Sequence, residues 1–132
     1  MTRPVYTIDT HALDWYEVAD PQLSASAEAV FTEAEQGRAE LLLNPIVMAE
    51  FCYILRKFGL DDDFAAFVAW IEGNPMYRLE PIIWDDLRRL HDFPEIPEMH
   101  DRLIAIQAVR LGAVLVTRDG TIQASPRVRW IW

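Results

Sequence analysis

Val5-Tyr6-Thr7-Ile8-Asp9-Thr10-His11-Ala12-Leu13 is the stretch on which the fold turns. Val5 to Ile8 reads as a short buried strand. It ends on Asp9, and Thr10 to Tyr16 then reads as a short helix. A second run of this kind stands near the other end of the chain. There Ala113 to Val116 is a buried strand, closed by Thr117-Arg118-Asp119-Gly120. If the two strands are parallel neighbours, Asp9 and Asp119 lie at the same sheet edge. In open parallel sheets, sites form beyond the carboxyl ends of the strands.

The segments between alternate strand and helix. Ser24 is an N-cap for a helix running to about Gln36, with Gly37 as its stop. Glu40 to Leu43 is a second strand candidate. Asn44-Pro45 opens a helix with a capping residue and a first-turn proline, and Gly59 stops it. Asp61 caps the next helix, whose apolar positions Phe64, Phe67, Val68 and Ile71 recur at helical spacing. Asn74-Pro75 ends it. Tyr77 to Ile83 contains a strand, Asp85 to His91 a helix, and Phe93 to Pro97 a proline-broken loop. Asp101 to Leu111 is a strong helix ended by Gly112, and Val128 to Trp132 an edge strand. This alternation predicts an α/β fold with a parallel sheet covered on both faces.

The chain has 132 residues, the length of one ordinary domain, and is expected to form one over residues 1–132. At 52% apolar residues, a packed core is expected and disorder is not. Cys52 is the only cysteine, so no internal disulfide forms, and a buried packing role is expected for it. No signal peptide is visible and no apolar run approaches the ~20 residues of a membrane span, so a soluble, cytoplasmic protein is expected. The formal charge of −9 argues against a simple electrostatic nucleic-acid binder. It is compatible with a nuclease whose clustered acids hold a cation.

Four acids stand out. Asp9 and Asp119 follow strands, although Asp9 also suits a helix N-cap and Asp119-Gly120 a turn. Glu50 lies on a helix among Ile46, Val47, Tyr53 and Ile54, where an ionised carboxylate is costly unless paired or bound to a cation. An exposed position or an arginine partner is the alternative. Asp101 occupies the first turn of an apolar helix, where capping and the helix dipole also favour acids. Four carboxylates in one small site repel strongly, and a hard dication such as Mg²⁺ or Mn²⁺ relieves this with oxygen ligands. His11, His91 and His100 lack the spacing of a zinc motif.

The segments Ile8-Asp9-Thr10-His11-Ala12-Leu13, Met48-Ala49-Glu50-Phe51, His100-Asp101-Arg102-Leu103-Ile104-Ala105 and Leu115-Val116-Thr117-Arg118-Asp119 resemble, in order and spacing, those of the PIN-domain family. The resemblance is closest to toxin nucleases of the VapC type. It implies a three-layer sandwich, with a central parallel sheet flanked by helices, and Mg²⁺- or Mn²⁺-dependent hydrolysis of RNA phosphodiesters. It carries Asp9, Glu50, Asp101 and Asp119 over as metal ligands. Thr117 matches a supporting hydroxyl, and Thr10 is a weaker candidate of that kind. Where many relatives carry Asn, this chain has His11. The resemblance also implies a homodimer and a small cognate antitoxin that inserts an arginine or an apolar helix near the cleft.

Arg102 and Arg118 adjoin two of the acids and are candidates for substrate phosphates, with ordinary ion pairs as the alternative. No aromatic platform for bases is identifiable. Phe64, Phe67 and Trp70 read as core, or in part as an interface. Two rival readings remain: a PIN fold that only binds RNA or protein, and a phospho-receiver domain. The latter needs a lysine after the late strand, where Thr117-Arg118-Asp119 stands instead.

Overall fold

The computed structural model describes residues 2–132. Five short strands form one sheet in the order β3-β2-β1-β4-β5. They are β1 (Val5–Ile8), β2 (Glu40–Leu43), β3 (Tyr77–Leu79), β4 (Val114–Val116) and β5 (Trp130–Ile131), and every pairing is parallel. Parallel neighbours require crossovers. These carry helices α1 (Thr10–Glu17), α2 (Ala25–Glu35), α3 (Pro45–Lys57), α4 (Phe64–Gly73), α5 (Trp84–Arg88), α6 (Met99–Arg110) and α7 (Gly120–Gln123).

The strands step outward from β1 through β2 to β3. The chain then returns across the sheet, through α5 and α6, to β4 on the other side of β1. Right-handed crossovers on either side of such a reversal place helices on both faces. The reversal opens a crevice between the carboxyl ends of β1 and β4. A phospho-receiver sheet has the order 2-1-3-4-5, so the receiver reading falls on topology.

The core is built from both sheet faces: Ile8, Leu41, Leu43, Leu115 and Val116 are fully buried, with Phe31, Val47 and Ile104 from the helices. One polar tie spans three elements. Gln107 of α6 accepts from Asn44 Nδ2 at 2.9 Å and donates to the carbonyls of Glu80 and Pro81. It fixes α6 against the start of α3 and the exit of β3. Asp86, fully buried, is held by Arg110 through two hydrogen bonds and accepts from the Ile83 amide.

Several local expectations need correction. Helix α4 starts at Phe64, not after an Asp61 side-chain cap. Asp61 contributes only its carbonyl, and the capping position, Asp63, makes no side-chain bond. The helix foreseen over Asp85 to His91 is α5 followed by a separate 3₁₀ turn, Leu90–Asp92. Helix α7 was not foreseen, because its four residues leave no apolar period to read. Cys52 is half-buried, facing neither a sealed core nor open solvent. On α4 only Ile71 is fully buried; Phe64 and Phe67 pack at the margin and Trp70 is exposed.

Candidate active site

The sheet register sets the centre of the site. Ile8 pairs with Val116, and the next residues, Asp9 and Thr117, therefore face each other where β1 and β4 end. The Asp9 amide continues the ladder to the Val116 carbonyl at 3.1 Å. Thr117 Oγ1, fully buried, donates to Asp9 Oδ2 at 2.5 Å and accepts from the Asp119 amide at 3.0 Å. One hydroxyl thus fixes both strand-end acids.

Each of these acids also caps a helix. Asp9 Oδ1 accepts from the Ala12 amide at 2.9 Å, at the start of α1. Asp119 Oδ1 accepts from the Thr121 and Ile122 amides at the start of α7. Capping and a place in the cleft are therefore not alternatives for Asp9 and Asp119. One oxygen ties the backbone, and in Asp119 the other carries no hydrogen bond among the described residues. Glu50 reaches the same place from α3. Its Oε1 accepts from Thr10 Oγ1 at 2.7 Å, and its Oε2 lies 3.7 Å from His100 Nδ1. Among the described residues, no arginine pairs with it.

Asp101 comes from the first turn of α6, whose cap is Glu98: Glu98 Oε2 accepts the Asp101 amide at 2.7 Å. The Asp101 carboxylate accepts no hydrogen bond among the described residues. Burial, and then the neighbouring charges of Asp119, Glu98, Glu50 and Asp9, push its pKa up to about 7. Asp9 is also raised, chiefly by burial, against the opposing pull of Thr117 and the Ala12 amide. All four predicted acids thus meet in one cleft of about 470 Å³. Its walls add His11, His100, Glu98 and Lys57.

Glu98 and His100 were not singled out by the sequence. Glu98 sits before the apolar period of α6, three residues ahead of Asp101, the spacing of a helix cap. Arg102 turns away from the cleft: Nε binds the Ile96 carbonyl at 2.6 Å and Nη1 the Leu90 carbonyl at 3.1 Å, which pins the preceding loop. Arg118 is exposed, with its guanidinium 4.6 Å from the centre of the Trp15 ring. Trp15 also meets His11 at 5.3 Å and Trp132 at 5.8 Å.

Chemically, the cleft is a set of five acids against one lysine, with two histidines at its walls. Among the described residues, no three His, Cys, Asp or Glu side chains stand close enough to make a finished ion cage. The donor set nonetheless fits a hard divalent ion. It is all carboxylate and hydroxyl oxygen, and an unpartnered Asp101 carboxyl stands within the field of four others.

A parallel sheet with its reversal at β1/β4, and an acid cluster at that reversal, define an α/β fold with a cation-seeking crevice. The chain belongs to the PIN domain family, whose family model matches residues 6–126. Among solved structures it is similar to a chain in VapBC2 from Rickettsia felis bound to a DNA fragment from their promoter. That match has a TM-score of 0.73 and 15% identity, over 96% of this chain and 97% of that one. It is also similar to a chain of a toxin-antitoxin complex from Klebsiella pneumoniae. There the TM-score is 0.64 and the identity 16%, over 93% and 94% of the two chains. At these identities the likeness is one of fold. No curated protein matches the sequence.

Proposed function

We propose that the chain, as a single PIN domain over residues 1–132, is an endoribonuclease that uses Mg²⁺ or Mn²⁺ and serves as the toxin of a toxin–antitoxin pair. The observation that carries this reading is the convergence of Asp9, Glu50, Asp101 and Asp119, from four separate elements, on one cleft at the sheet reversal. Gathering these charges destabilises the fold unless a cation joins them. Family membership and the two toxin–antitoxin neighbours support the nuclease and toxin readings.

Asp9, Asp119 and Asp101 are the residues that would hold the ion, with Glu50 completing the set. A divalent ion bound there supplies Lewis acidity toward a phosphate and an activated water near neutral pH. The chain's own part is preorganisation. Thr117 locks the Asp9 carboxylate and the Asp119 backbone in one geometry. Thr10 aims Glu50 into the cleft. The carboxylates leave no positive charge at the centre to compete for the ion, and no side-chain nucleophile is required.

The proposed partners are an RNA substrate, a second copy of the chain and a small antitoxin. A cationic side chain from the antitoxin would compete with metal in so negative a crevice.

The test is RNA cleavage with Mg²⁺ or Mn²⁺, with chelator, and with Asp9→Asn and Asp101→Asn. Cleavage is expected only with metal and the native acids. Cutting by verified metal-free protein overturns the metal assignment. No cleavage by the wild type under any metal leaves the chain as a PIN-fold binding module.

A further inference from the structure

The twelve basic side chains divide sharply by what they touch. Arg3, Arg38, Arg78, Arg88, Arg89 and Arg110 pair with carboxylates. Arg102, Arg127 and Arg129 bind backbone carbonyls. Among the described residues only Arg56, Lys57 and Arg118 have neither a hydrogen bond nor an ion pair. One of these three lines the acidic cleft and another is the chain neighbour of an acid that does. Lys57 lines it from the last turn of α3, and Arg118 stands between Thr117 and Asp119. On a chain of charge −9, cations left unpaired beside an acidic cleft are not the default outcome.

Arg118 is also held in a particular way. Its guanidinium lies over the Trp15 ring at 4.6 Å, and Trp15 is itself 7% exposed. Trp15 is wedged between His11, which lines the cleft, and Trp132. Stacking fixes the plane of a guanidinium through its face and leaves the N–H donors along its edge free. An ion pair would do the reverse and consume those donors. A rigid planar fork with unspent donors suits the paired oxygens of a phosphate. Its exposed face, where Trp15 does not cover it, suits a base.

We propose that Arg118, clamped on Trp15, and Lys57 form a cationic bracket that seats an RNA backbone across the acidic cleft. The proposal rests on the nuclease reading for the identity of its ligand. Phosphates held by Lys57, in the cleft wall, and by Arg118, next to Asp119, would present the adjoining linkage to the acids. Attraction at the rim would also offset repulsion between RNA and the five carboxylates within. The bracket explains how a strongly acidic chain binds a polyanion: local cations act within a Debye length of about 8–10 Å, where net charge counts for little.

The test measures affinity, not turnover. A fluorescent single-stranded RNA oligonucleotide is titrated in EDTA, and again with Ca²⁺, across a salt series. Arg118→Ala and Lys57→Ala are each expected to weaken binding by about fivefold and to make the log–log salt slope shallower by about 0.7. Arg118→Lys should keep the slope and recover only part of the affinity, since it restores charge without the stacked fork. Arg38→Ala, whose guanidinium is already spent on Glu33, should change neither.

Arg118→Ala that binds as the wild type does, or loses no more than Arg38→Ala, overturns the bracket. Retained RNA affinity with lost affinity for an acidic peptide would reassign Arg118 to a protein partner, and also overturns it. A wild type without measurable RNA affinity does so whatever the cleavage assay shows. Arg118-dependent RNA binding in a chain that never cuts RNA supports the bracket and removes the nuclease reading instead.

Discussion

At Asp101 a carboxyl group with no hydrogen-bond donor among the described residues stands among four others, and its pKa rises from 3.8 to about 7. The sign of the consequence follows from linkage. A carboxyl raised in the folded state binds its proton more tightly there than in the unfolded chain. The associated stability is therefore fully present below the unfolded value and is lost as pH rises through about 7. Asp9 and Glu17, both raised by burial, act in the same direction. In EDTA the melting temperature should fall between about pH 4 and about pH 7, and Asp101→Asn should flatten that fall while abolishing cleavage. A thermal-shift series in which the variant keeps the wild-type slope would remove the repulsion argument. Added Mg²⁺ should raise the wild-type melting temperature more than that of the variant. A second residue gives a prediction of opposite origin. Thr7 Oγ1 is buried in β1 without a partner among the described residues, so Thr7→Val, of similar shape, should stabilise the protein by about 1 kcal/mol in urea unfolding. A loss of stability would mean that the hydroxyl is satisfied in solution.

At the scale of the element, three helices begin on a side chain that ends a strand–helix turn: Asp9 for α1, Asn44 for α3 and Asp119 for α7. Each accepts backbone amides that the first turn would otherwise leave unpaired. Because the acids do this work, Asp9→Asn should preserve α1: asparagine caps about as well as aspartate. Four of the helices, α1, α2, α3 and α6, are followed by a left-handed residue. Gly37, Gly59 and Gly112 take the left-handed residue after α2, α3 and α6, but after α1 that residue is Ala19, with φ of 54°. Its position is set by the bonds from the Ala19 amide to Tyr16 and from the Asp20 amide to Trp15. Ala19 is exposed, so its methyl group contributes no packing. Ala19→Gly should therefore stabilise by roughly 0.5–1 kcal/mol, the left-handed strain relieved less the added freedom of the unfolded chain. Chemical denaturation reads this directly, and a destabilised variant would refute it.

Across the whole molecule, Val18, Trp84 and Met99 expose apolar side chains singly, while others gather on one hairpin. Tyr53, Phe58, Leu60 and Trp70 are each more than half exposed, and all belong to α3, α4 or the turn between them. Tyr53 faces the acidic cleft, and Phe58 and Leu60 at the turn offer the surface for association. We expect a homodimer through this hairpin. Light scattering should give twice the chain mass for the wild type and a smaller particle for Phe58→Asp. A monomeric wild type at high concentration would count against the interface. No helix among the described residues is long and apolar enough to cross a membrane.

What the sequence determined by itself is whatever depends on near neighbours in the chain. The strand positions, the caps at Ser24 and Asn44 and the glycine stops were all legible, because a cap or a stop acts within four residues. The four acids were legible as a set because each stood out against an apolar run, and because their order resembles a family pattern. Only the tertiary structure decided how they meet. The pairing of Ile8 with Val116 puts Thr117 on Asp9 across 108 positions of chain, and no local signal carries a register. Tertiary structure also separated two arginines that read alike beside their acids. Arg102, half-buried in the first turn of α6, is spent on loop carbonyls, while Arg118, exposed after β4, meets Trp15. Glu98, His100 and Lys57 joined the cleft for the same reason: a side chain's surroundings are set by the elements packed against it, and those lie far away in sequence.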